Sequence, residues 1–159
     1  MQFKYFLGID VGKLKLYILL RTSTEVLWEG EVDNEYTVLI RLFKTLKKDF
    51  GISAKDSLVC MEATGMYNFH MLTLINSLKI PTWVVAGQEI ISSLGMRRGK
   101  SDPIDARRIA EYSIRFIDKI DLWTPPRKII EVLKVLLTTR NRVIKCRVLV
   151  YLHLFLKST

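Results

Sequence analysis

The chain has 159 residues, 49% of them apolar and 26% charged, with a formal net charge of +9. That length supports a domain with a real hydrophobic core, and that composition excludes an intrinsically disordered chain. The positive charge favours a polyanionic partner and is unevenly spread. Residues 1–87 carry ten Lys/Arg against nine Asp/Glu, whereas residues 122–159 carry eight against the single acid Glu131. Cys60 and Cys146 match no metal or redox spacing, and Cys60 lies in an apolar run that reads as a buried thiol. Met1-Gln2-Phe3-Lys4 has no signal-peptide pattern, and the longest apolar stretch, residues 148–156, is about half a membrane span. A cytoplasmic protein with no membrane partner is the expectation.

Residues 5–10 read as a buried strand, and Gly12 marks a turn. Residues 14–21 and 26–32 follow as two strands split by the polar turn Thr22-Ser23-Thr24, which predicts an antiparallel meander. Residues 35–48 place Val38, Leu39, Leu42, Phe43 and Leu46 at helical spacing, and Gly51 closes that segment. Residues 58–61 form a short buried strand. Helical spacing returns over residues 67–78, with Leu72, Ile75 and Leu78 on one side. Pro81 precedes a strand at 83–85. Residues 88–96 read as a short helix, 97–101 as a basic loop and 102–115 as another helix. Trp123-Thr124-Pro125-Pro126 is a hinge, and a long helix starts near Arg127. The expected division is a domain over 1–122 and a basic helical segment over 123–159.

This order, three strands, helix, strand, helix, strand, helices, resembles the ribonuclease-H-like (RuvC-like) fold. The fold class expected is therefore α/β, a mixed sheet flanked by helices and followed by a long C-terminal helix. In that fold one acid sits on the first strand, a second on the fourth and the last on a C-terminal helix. Asp10, Glu62 and the pair Asp102 and Asp105 occupy those topological positions.

Each acid also has a plain structural explanation. Asp10 ends a strand before a glycine turn, and Gly8-Ile9-Asp10-Val11-Gly12 also resembles the first phosphate loop of actin-like kinases. Asp102, with Pro103 behind it, suits a helix N-terminus, and Asp105 complements the helix dipole there. Residues three apart still share one helical face, so capping does not exclude joint ligation. Glu62 is harder to explain by folding alone. It follows Leu58-Val59-Cys60-Met61, and a buried acid needs a cation, a proton or a partner. Together the four carboxylates suit a hard divalent cation, Mg²⁺ or Mn²⁺, and phosphodiester chemistry at one or two metals.

At these residues the chain resembles the DEDD transposases of bacterial insertion sequences. That family includes the invertases of pilin genes and the recombinases guided by a bridge RNA. The matching segments are Gly8-Ile9-Asp10-Val11 with Lys13, then Met61-Glu62-Ala63-Thr64-Gly65-Met66-Tyr67, then Lys100-Ser101-Asp102-Pro103-Ile104-Asp105-Ala106 through Ile109-Ala110. Their pattern spans roughly residues 5–145. The resemblance implies a Mg²⁺-dependent catalytic domain with Asp10, Glu62, Asp102 and Asp105 as both metal ligands and catalytic acids. It implies DNA cleavage and strand transfer in transposition, with DNA and in some members a guide RNA as partners. Lys13, Arg97, Arg98, Lys100, Arg107, Arg108, Arg140, Arg142, Lys145 and Arg147 are the expected nucleic-acid contacts. Ile130, Leu133, Leu137 and Ile144 give the last helix an apolar seam, from which homo-oligomerisation is expected.

Two features depart from the family pattern. Ala86-Gly87 stands where members often have Asn-Pro. The family also has a second domain bearing a serine nucleophile, for which the chain has no room before Thr159. Its tail, residues 148–156, is apolar on all sides and must be buried by something. Truncation before the serine domain, by gene decay or otherwise, is the expectation. Three rivals remain: a complete Holliday-junction-type nuclease, an actin-like sugar kinase fragment, and an inactive nucleic-acid-binding remnant. The kinase reading lacks a second glycine-rich phosphate loop and an adenosine-binding segment.

Overall fold

The structure, a computed structural model, describes residues 3–95 and 102–157. Side chains at 128, 129, 131, 134 and from 148 onward lie outside that description. The chain divides into two compact units, Met1–Trp123 and Thr124–Thr159.

The first unit is built on a five-stranded sheet of order β3-β2-β1-β4-β5. Strands β1 (Tyr5–Val11), β2 (Lys15–Arg21) and β3 (Val26–Asp33) form the expected antiparallel meander. Strands β4 (Ser57–Glu62) and β5 (Thr82–Val85) continue the sheet in parallel with β1. The near-continuous apolar runs of β1 and β4 fit strands covered on both faces. The parallel strands need crossovers, and helices supply them.

Side chains alternate across the sheet and so divide it into two cores. On one face Leu7, Ile9, Val11, Leu16, Ile18, Val59 and Met61 pack with helices α1 (Tyr36–Phe50) and α2 (Phe69–Leu78). On the other face Phe6, Leu58, Cys60, Trp83 and Val85 pack with α3 (Gly87–Leu94) and α4 (Asp102–Arg115). Burial of each large apolar side chain contributes about 1.5–3 kcal/mol. Cys60 is fully buried, as expected, and burial pushes its thiol up to about 12.

Two expectations shift in detail. The segment from residue 67 does not begin as an α-helix. A 3-10 turn at Gly65–Asn68 precedes α2. Met71, Leu74 and Ile75 form the buried face, while Leu78 is 42% exposed near the helix end. A second 3-10 turn, Ile117–Lys119, was not anticipated from the sequence. Gly51 does close α1: it takes a left-handed conformation (φ 74°), and its N–H donates to Lys47 O. The hinge carries one anchor, the Trp123 N–H bonded to Thr82 O at 2.7 Å.

Helix α4 lies against β1 at close range. A Cβ on Gly8 would stand 2.2 Å from Ala106 O and 2.6 Å from Ala110 N. Glycine on the strand, with Ala106 and Ala110 fully buried on the helix, lets the two backbones approach. Among the described residues no helix is long and apolar enough to cross a membrane. The second unit is dominated by α5 (Lys128–Lys157). Its seam positions Ile130, Leu133, Leu137 and Ile144 are 41%, 46%, 57% and 39% exposed.

Gly8→Ala sets a methyl group against helix backbone, which cannot step aside as a side-chain tip can. The expected loss is about 3 kcal/mol, the upper range for overpacking a core. Urea unfolding monitored by circular dichroism measures it as a lower midpoint with unchanged slope.

Candidate active site

Register places the first two acids. In the parallel pair β1–β4, Ile9 sits opposite Met61, so the next residues, Asp10 and Glu62, end neighbouring strands side by side. Each lies two residues beyond a member of the α4 face, Gly8 for Asp10 and Cys60 for Glu62, and so shares that face. Both side chains are half-buried. Helix α4 crosses β1 at Gly8, and its first turn carries Asp102, exposed, and Asp105, half-buried. The sheet and α4 thus bring the four predicted acids to one end of the first unit.

Their charges act on one another. Burial, then the charges of Asp102, Asp105 and Glu62, push the Asp10 carboxyl up to about 6, while the Val11 backbone N–H pulls it down. Such a raised carboxylate marks an unneutralised acidic cluster. Among the described residues, however, no three His, Cys, Asp or Glu side chains stand close enough to hold one metal ion. The acids gather at one end of the sheet without converging on a single point. Four carboxylates are nevertheless the oxygen donor set that hard divalent cations take.

Buried amides shape the loops that carry these acids. The Asn34 Nδ2 group donates to Gly12 O at 3.0 Å and to Tyr67 O at 2.9 Å, and its backbone N–H donates to Leu14 O at 2.8 Å. One side chain therefore ties the turn after β1 to the turn after β4. Asn68, 2% exposed, donates from Nδ2 to Glu62 O at 2.8 Å and pairs with the Thr64 hydroxyl. Exposed apolar side chains, Leu14, Met66, Tyr67 and Phe69, flank the clasped loops. Neither amide was singled out from sequence, because each acts across a distance in the chain. Gly87 was noted only as a departure from Asn-Pro. In the structure a Cβ there would stand 2.1 Å from Glu62 Oε1.

The predicted basic contacts are scattered. Lys13 is exposed in the turn that follows β1. Arg107 is exposed, but its guanidinium grips Glu29 on β3 with two bonds, at 3.0 and 2.5 Å. Arg108 is half-buried and donates to Gly95 O. Arg140, Arg142, Lys145 and Arg147 are exposed on α5, in the second unit. Arg97, Arg98 and Lys100 lie outside the described residues.

Comparison with known families agrees with this arrangement. A family model described as Transposase, of the DEDD IS110 type, matches residues 7–155. The chain belongs to the DEDD transposase family. Its fold is shared with Thermus thermophilus RuvC. A structure of that protein in complex with Holliday junction substrate has a TM-score of 0.54 and 12% identity, covering 75% of this chain and 99% of RuvC. A second RuvC structure gives 0.52 and 13% over the same shares. No curated protein matches the chain. The chain is thus a member of a transposase family with a RuvC-like, ribonuclease-H-like fold, as the sequence led one to expect.

The Asp10 shift has a stability consequence of defined sign. The folded chain keeps the Asp10 proton to about pH 6, whereas an unperturbed aspartate releases it near 3.8. The folded state therefore binds more protons in that window, and its stability falls as pH rises through it. In chelator-treated buffer, Asp10→Asn is expected to flatten this fall and to melt a few degrees higher at pH 7.5. Thermal melts from pH 3.5 to 7.5 measure both effects.

Proposed function

We propose that Asp10, Glu62, Asp102 and Asp105 hold Mg²⁺ or Mn²⁺ and form the catalytic acids of a DNA-cleaving transposase domain. One observation carries this reading. Register sets Asp10 beside Glu62, and the acidic first turn of α4 lies near enough to raise the Asp10 pKa. A bound divalent cation would supply Lewis-acid activation of a scissile phosphate and its attacking oxygen. The chain's own residues hold and orient. Asp10 and Glu62 offer oxygens from the rigid sheet, and Asp102 and Asp105 offer them from α4. Asn34 and Asn68 fix the loops between, which limits how far the strand-end carboxylates drift.

Substrate contact falls to the basic residues and the apolar rim. Lys13 lies one turn from Asp10, so it suits a phosphate beside the cleaved one. The exposed arginines and lysine of α5 suit backbone contact with DNA or a guide RNA, which gives steep salt dependence. Tyr67 and Phe69, 44% and 65% exposed, offer faces on which an unpaired base can stack. Branched DNA is the favoured probe, because RuvC shares the fold and has been seen with a Holliday junction. In this reading residues 1–122 are the catalytic domain and 123–159 a basic connector. The exposed apolar positions of α5 self-associate, and the site of action is the cytoplasm, where Cys60 and Cys146 stay reduced as free thiols.

Calorimetric titration tests the centre of the proposal. The chain is expected to bind Mn²⁺ and to melt at a higher temperature in millimolar Mg²⁺ or Mn²⁺, since a ligand that binds only the folded state stabilises it. Glu62→Gln is expected to lose the heat of binding, the melting shift and any metal-dependent cutting of a four-way junction. Metal binding that survives in Glu62→Gln rules out this acid set as the site.

A further inference from the structure

Gly87 differs from the other glycines in what its missing side chain makes room for. Gly51, Gly65 and Gly95 have positive φ and open space around them, so they serve the backbone. Gly8 makes room for the backbone of α4. At Gly87 φ lies outside the left-handed range, so any L-residue fits the local conformation. The three nearest atoms that a Cβ there would meet all belong to the Glu62 carboxylate, at 2.1 Å from Oε1, 2.6 Å from Cδ and 3.2 Å from Oε2. The glycine is therefore required neither by its backbone angles nor by packing of the core. It is required by the place where one carboxylate rests.

The fold explains how the two meet. Glu62 is opposite Val85 in the β4–β5 pair, and the Ala63 N–H donates to Val85 O at 2.8 Å. Two residues beyond Val85 the chain enters α3 and passes over the end of β4. The first turn of α3 is held in place because Glu89 accepts the hydroxyl of buried Tyr112, on α4, at 2.6 Å. The carboxylate thus lies against a fixed surface. That surface is also the start of a helix, whose free N–H groups and dipole favour negative charge.

We infer that Gly87 is a positioning residue for the acid site: its lack of a side chain forms the seat that holds the Glu62 carboxylate beside the end of β1. The inference rests on the reading of Glu62 as a cation ligand. Gly87→Ala displaces the far end of a flexible side chain rather than backbone, and alanine is the better helix former. A purely structural role for the site therefore predicts unchanged or higher stability with no effect on the cation. The seat predicts the same stability together with weaker cation binding.

The experiment is calorimetric titration of MnCl₂ into the full chain and three variants, Gly87→Ala, Glu62→Asp and the double variant, with thermal melts of each in chelator. Gly87→Ala is expected to melt at or above the parent temperature and to bind Mn²⁺ about 10–100-fold more weakly, the usual cost of disturbing a ligand's support. Glu62→Asp is one methylene shorter and draws back from the added methyl. The double variant is therefore expected to lose less affinity than the product of the two single losses. Parent-like Mn²⁺ affinity in Gly87→Ala overturns the seat and leaves the cation site standing. Strictly multiplicative losses, or a melting temperature that drops well below the parent's, overturn it too. A parent chain that binds no Mn²⁺ removes the cation reading and the seat with it.

Discussion

The contact on which the rest depends is the meeting of two backbones at Gly8. With glycine on β1 and the small residues Ala106 and Ala110 on α4, the helix settles closer to the sheet than packed side chains would allow. The depth of α4 fixes where its first turn lies, and that turn carries Asp102 and Asp105. Ile109 and Tyr112, on the same helix, then reach Leu58, Cys60 and Trp83 and complete the second core. Local fold and acid placement thus share one steric condition, which no larger residue at position 8 satisfies.

Around that contact the molecule separates its tasks by face. The face covered by α1 and α2 is a continuous apolar core. The face covered by α3 and α4 is apolar in its middle and acidic at the strand ends. Burial and the neighbouring acids raise the Asp10 carboxyl, so its ionised form is disfavoured where it stands. The first core and the Asn34 clasp supply rigidity from outside the acidic end. Local stability and the gathered charges are thus in conflict at this end of the sheet, and such conflicts are expected at functional sites.

Much of this was legible in the chain, and the reasons are specific. The runs before Asp10 and Glu62 are apolar on both parities, which reads as strands buried on two faces. The bounds of α4 followed from its acid-proline start and its period. The adjacency of Asp10 and Glu62 is different, because it comes from parallel pairing between strands far apart in sequence. Topological analogy suggested it, but no local pattern encodes it. Asn34 was not singled out, since its two carbonyl partners are fixed only in three dimensions. On α2 the expected Ile75 is buried and Leu72 packs at the margin of the core, whereas Met71 and Leu74 complete the stripe and Leu78, the last residue of the helix, is exposed. Gly87 looked like a change of loop until its neighbour could be seen.

The two borders of the sheet settle how copies of this molecule can meet. Strand β3, at one border, carries Glu29, Glu31 and Asp33 at alternate positions and is paired irregularly at Leu20/Arg21. Charge and irregular twist of this kind discourage a second strand from docking on an open edge. At the other border β5 is only 4 residues long, and the outward carbonyl of Thr82 is already taken by the Trp123 N–H. Neither border offers a long row of free amides and carbonyls as a template. Crowded copies of this chain are therefore protected from strand-to-strand aggregation at either border.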